Sequence, residues 1–103
     1  MKTENPFTAV REPLLRIIMI EVLRIALDDQ NSWFTTLELI NEIDKSGKLL
    51  GHIHVAVARL RRAGWLEDEW APSIHVYPKR RHYRLTTLGI VDGRAELLIQ
   101  SRQ

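Results

Sequence analysis

A mainly α-helical single domain carrying one small β-hairpin is the fold class the sequence predicts, and three observations predict it. Apolar residues recur three and four apart through most of residues 13–63, the period of helices with one buried face. Two short runs, WLEDEW and RRHYRLT, flank a stretch bracketed by Pro72 and Pro78, the pattern of an antiparallel pair of strands. After them a threonine introduces a last helical segment. At 103 residues the chain makes one domain, large enough for a core and small enough to gain from burial against a partner.

Composition excludes several function classes. With 45% hydrophobic and 27% charged residues the chain is globular rather than disordered. It has no cysteine, which removes disulfides, thiolate catalysis and cysteine-bound zinc together and fits a reducing compartment. The longest apolar run, PLLRIIMIEVLRIAL, is broken by Arg16, Glu21 and Arg24, too often for a membrane span. Nor does the start read as a secretory signal, since Glu4 and Pro6 follow a single lysine. A cytoplasmic protein is expected. Net charge is only +2, but it is unevenly spread. Residues 1–50 hold six Lys/Arg against eight Asp/Glu, and residues 51–103 hold nine against five. The basic second half suits a polyanion.

In chain order, residues 1–10 read as a flexible arm and residues 11–103 as the single domain. Pro13, with fixed φ and no N–H, suits the first position of a helix running to Asp28. That helix is apolar around most of its circumference, so it needs cover on more than one side. In FTTLELINEIDKSG, Thr35 is placed to cap, Glu38 to reach back, and Phe34 to staple onto Leu39. The second helix is thus expected over residues 36–46, with Leu37, Ile40 and Ile43 on its buried side and Gly47 as its stop.

The third helix, expected over residues 52–63, lies in GHIHVAVARLRRAGWL. Ile53, Val57 and Leu60 form its core stripe at i, i+4 and i+7. A rotation of about 100° per residue puts Val55, Arg59 and Arg62 on the opposite side, flanked by His52 and Ala58. Small residues mixed with arginines let a helix approach a DNA groove closely and still reach bases or phosphates. A hairpin over residues 65–86 follows, in which Tyr83 and Leu85 alternate with His82 and Arg84, giving one inward and one polar face. Thr86 caps a final helix over residues 87–101, where Gly89 and Gly93 lower the intrinsic helix propensity. Three helices, a hairpin and a closing helix make a winged helix-turn-helix with an appended C-terminal helix, a fold that places its third helix in the major groove.

Two stretches, GHIHVAVARLRRAGWL and KRRHYRLTTLG, resemble the recognition-helix and wing signatures of the PadR-like transcriptional regulators. The likeness runs from about residue 13 to 101. It implies a homodimeric DNA-binding repressor that pairs through its first and last helices and answers to a small hydrophobic ligand. Carried over position by position, it turns His52, His54, Val55, Arg59 and Arg62 toward the groove, sets Lys79, Arg80 and Arg81 at the wing, and leaves Lys48 to meet a phosphate. His54 stands where the family usually has tyrosine, and the last helix is short and lacks an aromatic.

Blander readings of the same residues stand beside these. A basic run at the end of a helix can simply be solvated, and Arg61, nearer the core side than Arg62, suits a pair with an acid. His52 and His54 lie two apart on a helix, so their side chains diverge by about 200° and cannot chelate one ion. No metal, cofactor or enzymatic site is expected. Glu67 and Glu69 share one strand face and Asp68 the other, placed to pair across the hairpin with Arg80, Arg81 or Arg84. Trp65, after the helix stop, reads as a core anchor, whereas Trp33 and Trp70 stay open between packing and ligand stacking. A second function class also stays open, that of a winged-helix module docking a partner protein instead of DNA. An apolar outward face would favour it, and the arginines weigh against it.

Overall fold

The structure, a computed structural model, describes residues 5–70 and 80–101. The loop bracketed by Pro72 and Pro78, with His75 and Lys79, lies outside the described residues, as do the first four residues and the last two. Helix α1 spans Pro13–Asp28 with its proline at the first helical position, where a missing N–H costs nothing. Its Leu15, Ile18, Met19, Val22, Leu23 and Ala26 are buried, and α1 forms the centre of the domain. Residues 5–10 are not the free arm expected. Phe7 and Val10 are core residues, and the Phe7 ring lies 6.1 Å from that of Trp65. Arg16, the charge that interrupts the apolar run of α1, donates to the carbonyls of Val10 at 2.7 Å and Phe7 at 3.3 Å. The sequence-local view missed this because a two-residue apolar anchor has no periodicity to detect.

Strand β1, Phe34–Thr35, leads directly into helix α2, Thr36–Ile43. The Thr35 hydroxyl accepts from the Glu38 amide at 3.2 Å, the expected N-cap. The helix stops at Ile43 rather than residue 46 because Asp44 caps it and turns the chain. Leu37 is exposed and Leu39 is the fully buried residue, so the core side of α2 is rotated from the expected one. Helix α3 spans Leu50–Arg62 and buries Ile53, Ala56, Val57 and Leu60 against α1.

Strands β2, Leu66–Trp70, and β3, Arg81–Leu85, form the hairpin. β1 pairs on the other side of β3, so the sheet has three antiparallel strands in the order β1-β3-β2. At two residues, β1 was too short to announce itself in the sequence. His82, assigned from alternation to a polar face, is buried under the ring of Trp33, stacked at 4.1 Å. Helix α4, Thr87–Ser101, returns to pack on α1.

The junction of α3, hairpin and α4 is held by backbone chemistry. Gly64 adopts φ +83°, a conformation other residues rarely take, and ends α3. The Thr86 hydroxyl donates to the Gly64 carbonyl at 2.6 Å and accepts from the Gly89 amide at 3.0 Å, while the Thr86 amide donates to Trp65 O at 3.0 Å. A side chain at Gly89 would collide with that same Trp65 carbonyl. Gly89 therefore lets α4 start against the end of α3, which explains a residue that intrinsic propensity disfavours.

Candidate nucleic-acid interface

With Ile53, Val57 and Leu60 fixed in the core, helix geometry turns the opposite stripe of α3 outward. His54, Val55 and Arg62 are exposed and Arg59 is half-buried. The first turn of α3 has no side-chain cap and no acid, and Arg59, Arg61 and Arg62 fall in its last turn. Basic residues there complement the helix dipole whatever else they meet. Arg59 differs from its neighbours: its Nε is buried and has no hydrogen-bond partner within the described residues, leaving a directed N–H unsatisfied.

The turn before α3 is set by Asp44, which sequence reasoning did not single out. Its carboxylate accepts from the Ser46 hydroxyl at 2.6 Å, the Ser46 amide at 3.1 Å and the Leu49 amide at 3.0 Å. The Ser46 hydroxyl, more than any other contact, holds this carboxyl below its usual range; partial desolvation opposes it, and the Leu49, Ser46 and Lys48 amides add to the lowering. The stretch DKSG carries the signal, an Asp two residues before a Ser and three before a positive-φ Gly. Lys48, in the same turn, is exposed.

The hairpin meets α3 along one side. Thr35, Leu37 and Leu50, His54 of α3, and Trp70, Arg80 and Arg81 of the hairpin line a single open groove of about 440 Å³. Of the candidate residues, His54, Arg80 and Arg81 are thus brought together, while Val55, Arg59 and Arg62 continue along α3. His52 does not stand free beside them: its Nε2 lies 2.7 Å from Glu12 Oε1, at the N-cap of α1. Arg81 is also held, by a charged hydrogen bond to Asp68 and by the ring of Trp70, 4.5 Å from its guanidinium carbon. Lys79 falls outside the described residues. Arg61 reaches Asp68 at 3.6 Å, which matches the pairing with an acid that its position suggested.

The tryptophans resolve differently. Trp65 is buried in the core. Trp33 carries His82 on one contact and the Arg84 guanidinium, at 4.3 Å, on another, whereas Trp70 is 53% exposed at the edge of the groove. Among the described residues no group of three or more His, Asp or Glu could hold a metal ion, and no described helix is long and apolar enough to cross a membrane.

No family model and no curated protein matches this sequence. Solved structures do resemble it. One is a PadR-like transcription factor from Bacteroides fragilis, with a TM-score of 0.66 at 18% identity over 85% of this chain and 84% of that one. Another is a PadR family transcription regulator from hypervirulent Clostridium difficile R20291, with a TM-score of 0.59 at 16% identity over 82% and 83%. At such identities the likeness is one of architecture: the chain has the winged-helix fold of the PadR-like transcription factors.

Proposed function

We propose that the protein is a cytoplasmic, sequence-specific DNA-binding transcriptional regulator that acts as a homodimeric repressor. The observation that carries the reading is the outward stripe of α3, Val55, Arg59 and Arg62, lying beside a groove shared with Arg80. A helix entering the major groove with a hairpin against the neighbouring backbone needs cations on both elements. Lys48, His54, Val55, Arg59, Arg62, Lys79 and Arg80 would make the contacts, with His52 and Arg81 held in place by Glu12 and Asp68. Occupying a promoter is enough for repression, and no chemistry is required.

Dimerisation is supported by a second surface. Leu14 and Ile17 of α1 and Leu88, Val91, Leu98 and Ile99 of α4 are exposed, apolar side chains on the two helices that a second copy of the chain would cover. Between the same helices, Leu27, Leu97 and Leu98 help line an open depression of about 550 Å³, within the range that holds a small hydrophobic ligand. A ligand seated there would act on the pairing of the two subunits.

The rival reading, a protein-docking module, draws on Leu37, Leu50 and Trp70, exposed in the groove, and on Val55, exposed farther along α3. Fluorescence anisotropy against the DNA upstream of the protein's own coding region, with a shuffled control and a salt series, separates the two. The expected result is tight binding to the upstream duplex, weaker binding to the shuffled one, and a steep loss of both with salt. Binding to neither duplex at low salt would favour the docking module.

A further inference from the structure

Each basic side chain of β3 is matched by an acid of β2. Arg84 Nε donates to Glu67 Oε1 at 2.9 Å, His82 Nε2 lies 2.9 Å from Glu69 Oε1, and Arg81 bonds Asp68. The register divides these pairs between two faces. Glu67 faces Arg84 and Glu69 faces His82 on the side covered by Trp33. Asp68 shares the other face with Trp70, Arg81 and Tyr83, the three that line the groove beside His54 of α3. Asp68 is therefore the acid of β2 on the side where DNA would lie.

Its surroundings make it more than half of a surface ion pair. The Asp68 side chain is 12% exposed, and its two oxygens are divided between elements, Oδ2 to Arg81 of the wing and Oδ1 to Arg61 of α3. Both arginines are well exposed and would otherwise be free to follow any phosphate. A sheltered carboxylate is screened less than the arginine heads it holds.

We propose that Asp68 is a specificity-determining residue that withholds Arg61 and Arg81 from charge-only contact with the DNA backbone while tying the wing to the end of α3. The inference rests on the DNA-binding reading above. Charge contacts to phosphate are blind to sequence and supply most of non-specific affinity. Keeping two arginines occupied lowers binding to random duplex and leaves discrimination to Arg59, Arg62 and Arg80.

The test is the salt dependence of binding for wild type, Asp68→Asn, Glu67→Gln and Arg61→Gln, each on the upstream and the shuffled duplex, with circular dichroism to confirm the fold. Asp68→Asn is expected to steepen the slope on shuffled DNA by about 0.9 to 1.8, one or two added phosphate contacts, and to reduce the preference for the upstream fragment. Over a fourfold rise in salt it would lose about 3- to 12-fold more affinity than wild type. Glu67→Gln adds the same charge on the far face and is expected to leave the slope near the wild-type value, as is Arg61→Gln. A folded Asp68→Asn protein with the wild-type slope, or a slope shallower by about 0.9 in Arg61→Gln, would overturn the proposal. Salt-independent or absent binding by the wild type would instead refute the DNA-binding reading and the proposal with it.

Discussion

Asp44 closes α2 and reaches forward to the amide of Leu49, one residue before α3 begins, so one carboxylate sets the turn between the two helices. Its pKa is lowered, which fixes the sign of its pH dependence. The stabilisation it lends is present above its ordinary value of 3.8 and is lost as pH falls through the lower folded value. Asp44→Ala is accordingly expected to be less stable than wild type at neutral pH, with the two urea-unfolding midpoints converging below about pH 4; a constant gap across that range would contradict the assignment. On α3, Arg59→Ala is expected to cost about 1 to 3 kcal/mol of operator affinity if the outer end of its guanidinium reads a base edge. At this scale, local chemistry was legible in the sequence. Thr35 and Thr86 announce caps, Gly64 a stop, and the spacing of His52 and His54 argues against a shared ion. Pairs such as His52 with Glu12, 40 residues apart, or Arg61 with Asp68 depend on how elements fold together, and no spacing rule reveals them.

Between elements, the tightest constraint is the contact of α4 with the end of α3. A methyl at Gly89 would strike backbone, the Trp65 carbonyl, with Leu85 Cδ2 only 3.0 Å away, so no side-chain rotation relieves it. Gly89→Ala is expected to destabilise the protein by about 1 to 3 kcal/mol or more, measured by denaturant unfolding, although alanine is the better helix former by about 1 kcal/mol. A neutral or stabilising effect would show that α4 is not seated as described. Helix existence followed from apolar period alone, and α3 shows why: its core stripe is complete within one segment. Rotation and ends followed less well. Leu37 and Leu39 exchange roles because α2 is only two turns long, too short for period to fix which side faces the core. β1 has meaning only as a partner of β3, and Phe7 only as a partner of Trp65.

For the molecule as a whole, the described residues leave two surfaces exposed, the apolar residues of α1 and α4 and the cationic side of α3 with Arg80 of the wing. If the first joins two subunits, the second is presented twice, and the half-sites should lie about 10 bp apart or a small multiple of that. Val91 is 62% exposed and Leu98 61%. Replacing both with glutamate is expected to yield a folded monomer by analytical ultracentrifugation, with weaker operator binding; an unchanged dimer would move the interface elsewhere. The claim on which the rest depends is that α3 reads DNA through its outward stripe. It is tested most directly by the affinity of Arg62→Ala for the upstream duplex, relative to wild type, across a salt series. The account predicts a loss of about 1 to 3 kcal/mol where Arg62 reads a base, or a slope shallower by about 0.9 where it meets a phosphate. Wild-type affinity and slope in a folded Arg62→Ala protein, with the same outcome for Arg59→Ala, would contradict it.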